Sequence, residues 1–204
     1  MDNLFTFSLT VFTGFFAIMN PISNMPIFLS LVEGADRKTK QKINLKAVVT
    51  AFIIVTVFVI SGKLIFELFG ISIPAFKITG GILIFFVGFE MLRSKKSTIK
   101  HLEKVNIDEN IAVSPLAIPI LAGPGTIVTA MNFVAHSSYI HIFLVILIFG
   151  IMCLLTYISF SLSEFIAKKI GDNVIAVIEK IMGLIIAIIG TSMVIEGIKI
   201  SFNL

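Results

Sequence analysis

The apolar positions of this chain fall into six long runs separated by charge and by Gly/Pro punctuation: residues 4–32, 47–68, 71–92, 111–135, 140–163 and 174–198. Each is long enough to supply the roughly 20 mostly apolar residues that a helix needs to cross a bilayer. The runs are continuous. A membrane β-barrel would instead show segments of about ten residues with alternating polarity. The pattern therefore predicts an all-α polytopic membrane protein with six transmembrane helices. A single transmembrane domain is expected over residues 1–204. Its first half covers about 1–95, a polar cytoplasmic connector about 93–110, and its second half about 111–204.

Composition strengthens this picture. The chain is 57% hydrophobic and 14% charged, with a mean hydropathy of +1.05, whereas soluble domains carry about 25% charged residues. Intrinsic disorder is excluded, since it requires low hydrophobicity and high charge. No separate soluble domain fits in what the runs leave. The net charge of +4 reads as topology, because Lys and Arg mark the cytoplasmic side of membrane proteins. Thirteen of the sixteen fall on one side of the predicted spans: residues 37–46, 93–104, Lys168, Lys169 and Lys180. Only Lys63, Lys77 and Lys199 fall on the other. Both termini are then expected outside. No Lys or Arg precedes the first run, so it lacks the basic start of a signal peptide and is read as a retained span. The connector mixes its Lys residues with Glu103, Asp108 and Glu109. It reads as a solvated loop, so the expected partner is the lipid bilayer and not nucleic acid. Cys153 is the single cysteine, which excludes an intrachain disulfide and reads as a small apolar residue inside a helix.

Runs one and four differ from the others. Run one contains Asn20-Pro21-Ile22-Ser23-Asn24-Met25-Pro26, and run four contains Pro115, Pro119 and Ala122-Gly123-Pro124-Gly125-Thr126. Five of the six prolines sit in these two runs. Proline removes a backbone donor and clashes with the preceding turn. Freed backbone groups at membrane depth are tolerated only inside protein or along a wet cavity. Both spans are expected to break near mid-bilayer and to face the interior. The breaks also correspond: at an offset of 103 residues Pro21 matches Pro124, Ser23 matches Thr126, Lys77 matches Lys180 and Gly80 matches Gly183. Two halves of three spans each follow, the second inverted relative to the first. Inverted repeats with matching interrupted helices mark secondary transporters that bind substrate at the midplane.

A broken helix offers partially positive N–H groups on one side and partially negative carbonyls on the other. Two such breaks suit a small zwitterion. The candidate substrate-binding residues are Asn20, Pro21, Ser23, Asn24, Gly123, Pro124, Gly125 and Thr126. The small residues favour a tight site, and neither break holds an acid or a base. Glu67, Glu90, Glu164, Glu179 and Glu196 all lie near predicted span ends. This disfavours a carboxylate proton shuttle through the middle and leaves sodium coupling, other proton coupling and uncoupled exchange open. Lys77 and Lys180, a turn or two inside their spans, are snorkelling residues or gating residues. His101, His136 and His141 show no metal-ligand spacing, and no nucleophile–base pair or phosphate loop is present. The expectation is no enzyme, no metal and no cofactor; an oligomer is compatible with the chain.

The residues 20–28, Asn20-Pro21-Ile22-Ser23-Asn24-Met25-Pro26-Ile27-Phe28, resemble the Asn-Pro-x-x-Asn-x-Pro signature of the MarC family of integral membrane proteins, within the LysE-like superfamily. The stretch Ser114-Pro115-Leu116-Ala117-Ile118-Pro119-Ile120-Leu121-Ala122-Gly123-Pro124-Gly125-Thr126 is similar to that family's second signature. Phe76-Lys77-Ile78-Thr79-Gly80-Gly81 resembles its third-span pattern. The likeness runs in order over essentially the whole chain, with Ser23 where a glycine is common. It implies a multi-pass protein of a prokaryotic inner (plasma) membrane, with six spans and kinship to exporters of amino acids. Some members are described as transporters of glycine and alanine, and the family's name comes from an antibiotic-resistance locus. The expected function is secondary transport of small neutral amino acids, with the substrate held between the two broken helices. The alternatives are export of other small solutes or drugs, marked by a wide Phe-lined cavity, and a non-transporting membrane scaffold, marked by continuous packing through both breaks.

Overall fold

The computed structural model describes residues 4–93, 112–135 and 138–202, which are helical with no strand among them. In chain order they form α1 (Leu4–Met19), α2 (Met25–Leu31), α3 (Arg37–Phe69), α4 (Ile73–Arg93), a π-helix (Val113–Leu121), α5 (Pro124–Val134), α6 (Tyr139–Ser161), α7 (Ser163–Ile170) and α8 (Asp172–Phe202). The connector expected at 93–110 lies almost wholly outside the described residues.

Among the described residues, four helices are long and apolar enough to cross a membrane: Arg37–Gly62 within α3, Ile73–Arg93, Tyr139–Ser161 and Asn173–Phe202. They correspond to the second, third, fifth and sixth apolar runs. The first run is divided between the 16-residue α1 and the 7-residue α2. The fourth is divided between the 9-residue π-helix and the 11-residue α5. At 1.5 Å per residue even α1 reaches only about 24 Å, short of the roughly 30 Å of a hydrocarbon core.

The basic stretch after run one is helical, not a loop. Asp36 caps α3 by accepting from the Lys38 N–H at 3.1 Å. The Thr39 hydroxyl holds its carboxyl below the usual aspartate range. Lys, Gln and Leu then propagate the helix ten residues ahead of the apolar run. At its far end Gly70 adopts φ 61°, and its N–H and that of Ile71 close on the Glu67 and Phe66 carbonyls. The turn between runs five and six holds a further short helix, α7, where the Lys169 ammonium lies 5.7 Å over the Phe165 ring.

The main core lies among α1, α2, α3, the π-helix and α6, around Val11, Phe15, Met19, Ala51, Leu116 and Phe149. A smaller core joins α1 to α4 and α8 through Ala17, Ile84, Ile186 and Met193. The outer faces are apolar as well: Leu64 is 63% exposed and Leu68 74%. A bilayer is the solvent that suits them.

Helices α4 and α8 pack antiparallel along their length with their backbones in contact. Pro74 lies against Gly197, Gly81 against Gly190 and Gly88 against Gly183, a contact every seven residues. A Cβ on Gly190 would fall 2.5 Å from both the Gly81 carbonyl oxygen and the Phe85 nitrogen. Overpacking of this kind costs about 1–3 kcal/mol, or roughly 2–4 °C of melting temperature per kcal/mol in a chain of this size. Gly190→Ala should therefore lower the melting temperature in detergent. Gly150→Ala, whose Cβ would meet only the Phe52 ring edge at 3.3 Å, should leave it unchanged or raise it.

Candidate functional site

The first interruption is built by its own asparagines. The Asn20 N–H completes α1 on the Phe16 carbonyl at 3.0 Å. Asn20 itself turns the chain at φ 36°, a left-handed conformation that Asn tolerates better than most residues. Pro21 has no N–H to continue the helix. The Asn20 carbonyl then accepts from the Asn24 N–H at 3.2 Å, and its Oδ1 accepts from the Ser23 N–H at 3.4 Å. The Asn24 side-chain amide donates to the Met19 carbonyl at 2.7 Å, satisfying one of the oxygens that the end of α1 leaves free. Pro26 sits in the first turn of α2, where its missing donor costs nothing.

The second interruption is built by backbone alone. Prolines at 115 and 119 withdraw two donors from the helix ladder, and this segment winds as a wide π-helix that ends with the Ala122 N–H on the Ala117 carbonyl at 2.8 Å. Gly123 is extended (φ −69°, ψ 169°), and Pro124 opens α5. The Ile127 N–H bonds the Gly123 carbonyl at 3.1 Å. The N–H groups of Gly125 and Thr126, two residues and one residue earlier, therefore lead the helix without an intrahelical acceptor.

The second interruption meets the end of α1 that leads into the first. A Cβ on Gly125 would lie 2.9 Å from Ile18 Cδ1 and 3.8 Å from Val87 Cγ2, so the first turn of α5 rests on the last turn of α1 and on α4. Asn20, Pro21, Gly123, Gly125 and Thr126 are buried, Ser23 and Asn24 are half-buried, and Pro124 is exposed. Two polar atoms of the first interruption, Asn20 Nδ2 and Ser23 Oγ, are buried with no hydrogen-bond partner among the described residues. Such groups are uncommon and costly, because each has given up water for nothing. Two more orphans lie further along α5, Thr129 Oγ1 and Asn132 Oδ1. The sequence reading passed over these two. Their signal was the spacing Thr126, Thr129, Asn132, polar residues every third position in an apolar run.

Two cavities flank this region. One, of about 370 Å³, lies between the Arg37 end of α3, α2, and the junction of α6 with α7. The other, of about 660 Å³, lies at the Phe69 end of α3, where Phe66 and Ile73 face Met131 and Ile142. Neither is lined by residues of the interruptions. The rise per residue puts Asn44 and Gly62, one at each cavity, about 27 Å apart along α3.

Lys77 is buried within α4, and its ammonium pairs with Glu196 of α8, whose side chain is 54% exposed. Lys180 is exposed and forms no such pair with a described residue. A second ion pair, Lys40–Glu164 at 2.7 Å, ties α3 to α7. His141 takes a hydrogen bond with Ser138 at 2.8 Å and packs edge-on against Phe7; His101 and His136 lie outside the described residues.

Long apolar helices with apolar outer faces, and a short-helix pair meeting inside them, define an integral membrane protein. The chain belongs to the MarC family of integral membrane proteins, whose pattern it matches over residues 5–202. It is 40% identical to the UPF0056 membrane protein YvbG of Bacillus subtilis, over 96% of each chain. It is also 40% identical to a UPF0056 membrane protein of Pyrococcus horikoshii, over 95% of each. Against the UPF0056 membrane protein YhcE of Escherichia coli the identity is 32%, over 92% of this chain and 90% of that one. No solved structure matches the chain.

The Lys77–Glu196 pair is asymmetric, and this gives a directional prediction. Removing Lys77 leaves a carboxylate that water reaches, whereas removing the Glu196 charge leaves a buried ammonium without its partner. Breaking a fully buried pair costs about 3–5 kcal/mol. With one partner half exposed, Glu196→Gln should cost about 1–2 kcal/mol, discounted for solvent screening. Lys77→Met should cost less. Thermal unfolding of the two purified variants gives the order.

Proposed function

We propose that this protein is a secondary transporter of small neutral amino acids such as glycine and alanine, in which the two interruptions hold the substrate. The carrying observation is the pair of buried groups, Asn20 Nδ2 and Ser23 Oγ, without partners among the described residues, in a break that Asn20 Oδ1 and the Asn24 amide nitrogen hold in shape. On this reading the substrate carboxylate meets Asn20 Nδ2, Ser23 Oγ and the leading N–H groups of Gly125 and Thr126. The ammonium meets carbonyls at the end of α1 or of the π-helix. Pro21, Gly123 and Pro124 keep the backbone open, and Asn24 holds the break in shape while its remaining oxygen faces the ligand.

Two further observations support this reading. First, the cavities lie toward opposite ends of α3 with the interruptions between them, the arrangement of a closed state between two vestibules. Second, the α4–α8 contacts set Ile84 opposite Ala187, positions 103 residues apart, and the same offset relates Pro21 to Pro124. A two-fold axis through the crossing of α4 and α8 would therefore exchange the two interruptions, as an inverted repeat of two three-span halves requires. Each interrupted segment then counts as one span, six in all. The Lys/Arg distribution supports a cytoplasmic Arg37 end of α3 with both termini outside. The bacterial relatives point to the inner membrane.

The test is flux in proteoliposomes. Labelled alanine should enter faster than into empty vesicles, and imposing sodium and proton gradients in turn identifies any coupling ion. Equal fluxes under every gradient would refute transport and favour the scaffold role. Asn20→Gly keeps the left-handed turn and removes the amide, a hydrogen bond to a charged group worth about 1.5–3 kcal/mol. It should cut alanine flux by roughly tenfold or more. Unchanged flux in this variant would remove Asn20 from the site.

A further inference from the structure

The cavity at the Arg37 end of α3 is a built site, distinct from the interruptions. Arg37, Lys40 and Asn44 recur at helical spacing and share one face of α3. Opposite them stand Phe160 and Glu164, at the junction of α6 with α7. The Lys40–Glu164 ion pair spans α3 and α7 beside the cavity, with Lys40 only 25% exposed. The wall beyond is aromatic: Phe28 of α2 stacks on Phe160 with centroids 4.7 Å apart and an interplanar angle of 11°. Asn44 lines the cavity and is 1% exposed. Its amide nitrogen donates to the Tyr157 carbonyl at 2.9 Å and to Ser161 Oγ at 3.1 Å, while its Oδ1 is buried with no partner among the described residues.

These groups define the ligand. Arg37, which is exposed, and Lys40, which is paired with Glu164, line the cavity with two positive charges, and each guanidinium or ammonium offers several donors. The orphaned Asn44 oxygen requires an N–H or O–H donor. A small molecule carrying a carboxylate and a donor a few bonds away satisfies both demands. The volume of about 370 Å³ lies within the range of small-molecule sites. The aromatic wall connects the cavity to the interruptions, for the Phe28 N–H bonds the Asn24 carbonyl at 3.0 Å, one turn into α2.

We propose that this cavity is a second binding site for the amino-acid zwitterion, at the vestibule on the Arg37 end of α3. The carboxylate takes the place of Glu164 on Lys40 and engages Arg37, and the ammonium engages Asn44 Oδ1. The proposal rests on the transport reading for the identity of the ligand. Occupancy opens the Lys40–Glu164 pair between α3 and α7.

The single cysteine of the chain, Cys153, is buried, so a Gln41→Cys variant carries one accessible thiol on the wall of this cavity. Its alkylation by a charged maleimide is followed in detergent with alanine, lactate or acetate present. Saturating alanine should slow the reaction by about fivefold or more, as expected when a site is mostly occupied. Acetate, which has no donor, should not. Adding Arg37→Gln and Lys40→Gln, both at positions in contact with solvent, should raise the alanine concentration needed by about tenfold, the loss of a charge-assisted hydrogen bond. The same protection should persist when Asn20→Gly is added. Protection that vanishes with Asn20→Gly would overturn the proposal, because the cavity would then only be responding to the interruptions. Absence of protection by alanine, equal protection by acetate, or indifference to the Arg37 and Lys40 changes would overturn it too. The proteoliposome flux of the unmodified protein reports on the transport reading separately, so failure of one is distinguishable from failure of the other.

Discussion

Every backbone polar group inside a bilayer must find its partner within the protein, and the rest of this structure depends on how that demand is met. Four long helices meet it by ladder hydrogen bonds alone. The two proline-bearing segments cannot, and each solves the problem differently. At residues 20–24 side chains replace the missing ladder: the Asn24 amide serves the Met19 carbonyl and the Asn20 oxygen serves the Ser23 N–H. At residues 113–123 the ladder is kept but widened to i→i+5 bonds until Gly123 ends it. Because these repairs are local, both segments can stop inside the bundle, where long helices enclose them.

The two repairs leave different chemistry behind. The side-chain repair leaves an amide and a hydroxyl without partners. The backbone repair leaves N–H groups at the head of α5. The residues of both interruptions carry no formal charge. Charge instead appears at the periphery, in the Lys40–Glu164 and Lys77–Glu196 pairs, each of which ties two helices together. The described residues thus separate uncharged interruptions from ion pairs that hold helices together.

Much of this was legible in the sequence. Length and polarity mark α4 and α6 to within a few residues, and the prolines at 21, 26, 119 and 124 mark where helices stop and start. The asparagines were recognisable as important, but their roles were not. Whether Asn24 faces a ligand or the Met19 carbonyl depends on the left-handed turn at Asn20, which no spacing rule anticipates. The start of α3 at Arg37 was missed because polarity marks where a helix leaves the membrane, not where its hydrogen bonds end; Asp36 was the cue. The Lys77–Glu196 pair was hidden because the two residues are 119 apart and meet only through the packing of α4 on α8.

The close seam between α4 and α8 has a mechanical meaning. An interface padded with side chains can shear, because rotamers adjust as the helices slide. Here glycines bring backbone against backbone, and a slide of even one ångström would drive a carbonyl into its neighbour. The pair therefore has to move as a single strut. Bending is left to the turns at its ends, where Gly70 and Gly171 already hold positive φ of 61° and 78°. Those turns join the strut to α3 and to α7, so any rocking of the molecule would be hinged there, one at each membrane surface.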